Sequence, residues 1–156
     1  MSLIIDDAWL GACVWGKSDD PNKLWPRINL DVPQEPEEWM ALHYLFDQNA
    51  SSLNDFMAGV LAHTGFGDDG AGYSYPGDFE PGELEPDEVF DGGVLIMDAM
   101  DNEVVVSQGS FDRAVLHYAE LIAADARDNG LPVLGLPWWS DFEAQIEALR
   151  ARVEGA

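Results

Sequence analysis

The sequence predicts an α+β domain, about four helices packed around a small, mostly antiparallel sheet. Helical periodicity recurs in separate stretches, and two short apolar runs lie close together around an Asp-Asn pair. No internal repeat or low-complexity linker divides the 156 residues. That length suits one domain over residues 1–156, with a core of its own.

Residues 1–31 hold the short apolar runs Leu3-Ile4-Ile5 and Ala12-Cys13-Val14-Trp15 and the turn Asp19-Asp20-Pro21-Asn22. Their pattern does not decide between strand and helix; Trp9, Trp15 and Trp25 are expected to pack on the domain. A first helix is predicted over 33–49. Pro36 suits its first position, and Glu37 and Glu38 its first turn, where the macrodipole favours anions. Trp39, Leu42, His43 and Phe46 share one face, so His43 reads as a buried histidine before it reads as a ligand or base. A second helix starts at a Ser51 or Ser52 cap and ends at Gly65 as its C′ residue. Leu53, Phe56, Met57, Val60 and Leu61 form its core stripe, and His63 sits in its last turn as a capping cation.

Residues 65–75, rich in Gly and Asp, read as a loop. An acidic run over 78–91 follows, and Pro76, Pro81 and Pro86 deny it a helix. The apolar runs 94–97 and 104–106 read as strands joined by a hairpin at Asp101-Asn102. Both are continuously apolar, which predicts cover on both faces. A third helix over 111–128 starts at a Ser110 cap and buries Phe111, Ala114, Val115, Tyr118 and Ile122. Gly130-Leu131-Pro132 stops it. Arg113 and His117 fall on its opposite side, near Glu120, and read as solvated. Pro137-Trp138-Trp139 reads as a loop. Ser140-Asp141-Phe142-Glu143 matches a capping box for a last helix, with Phe142, Ile146, Leu149 and Val153 inward.

Charge is the feature that bears on function. Seven basic residues against thirty acidic leave a net charge of −23, and no Lys or Arg lies between Arg27 and Arg113. Such self-repulsion costs stability. Solubility or a salt-rich cytosol is one reason for it; a basic protein partner is the sharper one. Direct nucleic-acid binding is not expected, because affinity for phosphate rests on Lys and Arg, and binding to an anionic membrane is not expected for the same reason. Cys13 is the single cysteine, so no internal disulfide forms and a reducing, cytoplasmic compartment is expected. The N-terminus does not read as a secretory signal, and no apolar run reaches the length of a membrane span. A monomer is the expectation.

Catalytic, cofactor and metal residues are assigned to none. His43, His63 and His117 fall in three different helices with no metal-ligand spacing. Asp87-x-Val89-x-Asp91-Gly92 with Asp98 resembles an EF-hand loop but fails at its third position. There is no Gly-x-Ser-x-Gly and no phosphate loop, and Cys13 sits in an apolar run where a thiol is packing. Paired carboxylates carry little information in so acidic a chain. What remains is a surface: Asp68, Asp69, Asp78, Glu80, Glu83, Glu85, Asp87, Glu88 and Asp91, with Tyr73, Tyr75 and Phe79 as aromatic anchors. Charge steers association and aromatics anchor it, so these residues are the expected partner-binding face.

Three stretches also resemble the ribonuclease-toxin immunity proteins of bacterial contact-dependent growth inhibition (CDI) systems. One is the helix ending in Gly-Phe, from Ser52-Leu53-Asn54-Asp55-Phe56 to Thr64-Gly65-Phe66. Another is the acidic, Pro-containing run leading to Val89-Phe90-Asp91-Gly92-Gly93-Val94-Leu95-Ile96. The last is Asp101-Asn102-Glu103-Val104-Val105-Val106-Ser107 with Phe111 and His117-Tyr118-Ala119 beyond it. Together they span about residues 36–124. The pattern is of short pieces rather than a rigid motif. Gly92-Gly93 stands where one glycine is expected, and the Trp-rich start and the Pro137-Trp138-Trp139 tail lie outside it. The resemblance implies a non-enzymatic protein that binds a toxin nuclease domain and blocks its active site or RNA groove; it carries no contact residues over. An acidic adaptor or nucleic-acid mimic for a basic housekeeping protein is the alternative, and a small hydrolase using loop carboxylates the third reading.

Overall fold

The fold is seen in a computed structural model that describes residues 14–17, 26, 28–31, 40–46, 48, 50–68, 71–85, 90, 92–100 and 102–155. Expectations that rest on Trp9, Cys13, Trp25, Pro36, Glu37, Glu38 and Trp39 lie outside these residues.

A four-stranded antiparallel sheet stands at the centre. Its strands are β3 (Phe66–Asp68), β4 (Ala71–Ser74), β5 (Val94–Met97) and β6 (Glu103–Val106), in the order β3-β4-β5-β6. A separate antiparallel pair, β1 (Val14–Lys17) with β2 (Ile28–Asp31), precedes it. Four helices complete the α+β fold: α1 (Met40–Leu45), α2 (Ala50–Ala62), α3 (Gln108–Asn129) and α4 (Trp139–Glu154).

Within residues 65–75, where a loop is expected, β3 and β4 pair as antiparallel strands. Phe66 pairs with Tyr73, Gly67 with Gly72 and Asp68 with Ala71. Glycine is a poor strand former, so propensity argues against this. Here the glycine is required: a Cβ on Gly72 would lie 2.5 Å from the Phe66 carbonyl oxygen. The period-two spacing of Tyr73 and Tyr75 is the strand signal that the glycines obscure.

Register then sorts residues onto faces, because side chains alternate along a strand and paired residues share a side. Phe66, Tyr73, Ile96 and Val104 form one row on the inner face, and Val94 with Val106 another. Gly67, Gly72 and Met97, and then Ser74, Leu95 and Val105, form the outer rows. The inner residues of β4 to β6 are buried, while Leu95, Met97 and Val105 are half-exposed. Among the described residues, the expected cover on both faces is therefore corrected to full cover on the inner face and partial cover on the outer.

The inner face meets an aromatic cluster. Phe56 of α2 touches the rings of Phe46, Phe66, Tyr73 and Tyr118, at 6.2, 5.7, 5.3 and 6.4 Å between centroids, each in the edge-to-face geometry that ring quadrupoles prefer. The expected core stripes of α2, α3 and α4 are buried, with Leu61 and Val153 half-buried at their margins. Trp15 of β1 packs on Phe46, His117 and Tyr118. His117 is thus half-buried under an indole rather than solvated.

Helix ends differ from expectation by a few residues. Ser107, not Ser110, caps α3, its Oγ accepting from the Ser110 N–H at 3.1 Å. Ser52 lies inside the first turn of α2 and donates to Gln48 Oε1. Residue Glu143 accepts from Trp139 Nε1 and pairs with Arg127, so the capping box is absent and α4 starts at Trp139 without a side-chain cap. His63, rather than Gly65, is the C′ residue of α2. It sits at φ 54°, while Thr64 N donates to the Gly59 carbonyl at 2.9 Å. This is the left-handed closure usually given to glycine.

Candidate functional site

The site is built where β4 leaves the sheet. Tyr75 ends the inner row and the chain turns outward at Pro76, whose fixed φ suits the first position of the short 3₁₀ turn Pro76–Asp78. Asp78 closes that turn by accepting the Tyr75 N–H at 2.7 Å. Gly65 makes room for this carboxylate, since a Cβ there would lie 2.8 Å from Asp78 Oδ2. The strap of residues 76–85 follows. Asp78, Glu80, Glu83 and Glu85 are exposed along it. Phe79 is half-buried and packs edge-on against Phe90, with ring centroids 6.0 Å apart.

The strap overlooks an open hollow of about 640 Å³ on the outer face of the sheet. Gly67 and Gly72 pave it, Met97 and Phe79 wall it, and Asp78 contributes a carboxylate to its lining. A smaller hollow, about 330 Å³, lies across Phe79 among Pro76, Glu80, Leu84 and Phe90. The strap's leading aromatic therefore stands between two depressions, with carboxylates around it.

The structure sorts the expected partner face into three groups. Asp78, Phe79, Glu80, Glu83 and Glu85 come together on the strap, with Asp68 in the adjacent strand β3. Asp69, Asp87, Glu88 and Asp91 lie outside the described residues. Tyr73 and Tyr75 are corrections: they are 1% and 2% exposed and face the core. Tyr73 donates its hydroxyl proton to the Phe56 carbonyl at 2.6 Å, and burial holds its ionisation well above the usual tyrosine range. The acidic neighbourhood made these rings look like anchors, but strand alternation turns both inward.

Asp98 is also explained without a metal. It is buried, and its carboxylate accepts from Met100 N, Asn102 N and Asn102 Nδ2 at 2.8, 3.1 and 3.1 Å. Its acceptor capacity closes the β5–β6 turn. Among the described residues no cluster of His, Cys, Asp and Glu could hold a metal ion. No helix of the described residues is long and apolar enough to cross a membrane.

Sequence reasoning missed a second polar centre. Arg152 of α4 reaches over the end of α2, donating to the Val60 and Leu61 carbonyls at 2.9 and 3.1 Å and to Asp112 Oδ1 of α3 at 2.9 Å. A cation there meets the orphan carbonyls and negative pole of the helix. Burial raises the Asp112 pKa, and Arg152 opposes the shift. A raised carboxylate pKa marks general acids, but here the carboxylate is taken up by a structural clasp. An arginine alone in the last helix's final turn, on the side of the core stripe, was the available signal.

The hollow was missed too. Its glycines lie five apart in an acidic, glycine-rich stretch, and only register shows that they line one depression. No family model, no curated protein and no solved structure matches this chain.

Proposed function

We propose that this chain is a non-enzymatic immunity-type protein that captures a basic toxin nuclease domain and covers its active site or RNA groove. The observation that carries this reading is the strap. Asp78, Glu80, Glu83 and Glu85 are exposed on it, in a chain of net charge −23 with no Lys or Arg between positions 27 and 113.

A nuclease needs a basic groove to hold phosphate, and a row of carboxylates competes for that groove. Complementary potentials raise association rates towards ~10⁸–10⁹ M⁻¹s⁻¹ at low salt, which suits protection against a lethal enzyme. Phe79 supplies an apolar anchor among the charges, the arrangement that concentrates binding energy at interfaces. The resemblance of residues 36–124 to immunity proteins supports the same reading.

The test is affinity capture from the native organism with tagged full chain, at low and then high salt, read by mass spectrometry. Recovery of a basic nuclease-like domain, weakened by salt, is the expected result. A basic housekeeping protein instead would favour an adaptor. A variant with Glu83, Glu85, Asp87 and Glu88 all changed to Lys is expected to lose protection. Retained protection in that variant, with the fold intact, would show that the strap is not the face used.

A further inference from the structure

We propose that the hollow on the outer face of the sheet is the seat of an arginine side chain from the basic partner. This deepens the reading above and rests on it.

The lining is unusual for a protein surface. Gly67 and Gly72 are direct neighbours in the β3–β4 ladder and line the hollow; Gly67 is exposed and Gly72 buried, so the backbone open to solvent there is that of Gly67. Phe79 and Met97 form apolar walls, and Asp78 places a carboxylate at the edge. The chemistry asks for a flat, apolar-faced cation. A guanidinium is planar, stacks on aromatic faces and is weakly hydrated. It can lie against Phe79 with a cation–π gain while its N–H groups reach a carboxylate in a charge-assisted pair. An ammonium is a strongly hydrated point charge and loses the stacking. A neutral aromatic would fill the space but leave the acidic rim unanswered. A volume of about 640 Å³ also admits the backbone on either side of the cation.

Gly67 gives a clean way to close the hollow. A Cβ there meets nothing nearer than the Ala71 carbonyl oxygen at 3.7 Å, and its φ lies outside the left-handed region. Gly67→Leu should therefore fill the hollow and leave the fold intact, unlike any change at Gly72.

The experiment is an NMR titration of the full chain, following the Met97 methyl and the Gly67 and Gly72 amides. The probes are a short peptide with one central arginine and matched peptides with lysine, citrulline or phenylalanine in its place. The arginine peptide is expected to move all three signals, and citrulline none. Gly67→Leu should abolish the response, and Asp78→Asn should weaken it about tenfold. If Gly67→Leu fails to fold, Phe79→Leu serves, with a several-fold loss expected. Equal responses to citrulline or phenylalanine would overturn the proposal in favour of an apolar subsite. Equal responses to lysine would overturn the case for a guanidinium. If only strap amides near Glu80 and Glu83 move, the hollow is not the seat while the acidic interface stands. If polyarginine at low salt moves no residue, the proposed function falls with it.

Discussion

The two faces of the four-stranded sheet divide the work of this protein. The inner face carries Tyr73, Val94, Ile96, Val104 and Val106, all buried against a cluster of aromatic rings. The outer face carries two glycines, half-exposed Leu95, Met97 and Val105, and a strap of exposed carboxylates. Charges are handled differently on the two sides as well. On the helices, Arg127 pairs with Glu143, Arg150 with Glu120 and Glu147, and Arg152 with Asp112. The strap's own stretch has no cation to offer. Buried side chains interdigitate on the inner face, while exposed carboxylates are gathered on the outer one.

Substitutions can break or sharpen that contrast. The largest effect is expected on the inner face. Tyr73→Ala removes a fully buried ring and its bond to the Phe56 carbonyl, and should cost about 3–5 kcal/mol in denaturant unfolding. Arg152→Met comes next. It leaves the Asp112 carboxylate and two helix-end carbonyls without their donor, a loss of about 3 kcal/mol at neutral pH. Gly59→Ala should follow at about 1–3 kcal/mol, despite alanine's better helix propensity, because the new Cβ would stand 2.3 Å from the Tyr73 hydroxyl. The outer face should respond least. Glu80→Lys is expected to change stability by less than about 0.5 kcal/mol, while making partner capture less sensitive to salt.

The pH dependence has a definite sign. Asp112 has its folded pKa raised, so the folded state binds the proton more tightly than the unfolded chain does. Stability from this group is fully present below the ordinary aspartate range and is lost as pH rises through the raised value. Thermal melts should therefore show stability increasing as pH falls from neutral towards the carboxylate range, and Asp112→Asn should flatten part of that slope. An unchanged slope in Asp112→Asn would place the effect in general charge repulsion instead.

Much of the fold was legible because it rests on local periodicity. The stripes Leu53-Phe56-Met57-Val60, Phe111-Ala114-Val115-Tyr118-Ile122 and Phe142-Ile146-Leu149 are buried as their spacing requires. The β5–β6 hairpin lies at the expected place, and Asp98 accepts hydrogen bonds from Met100 and Asn102 across its turn. The β3–β4 hairpin was not legible, since glycine and aspartate carry turn and loop signals. The candidate site was half legible. The strap's acidity is plain in the sequence, but Tyr73 and Tyr75 were assigned to the wrong side.

Composition and nearest-neighbour spacing thus determined the helices, the excess of acid and the α+β class, because each depends on residues a few positions apart. Only the tertiary structure decided which way Tyr73 and Tyr75 face, that Gly67 and Gly72 floor one hollow, and that Arg152 closes the end of α2. These depend on strand register and on which distant segment arrives beside which. A one-residue shift in pairing would exchange the two faces of β4 without altering a letter of the sequence.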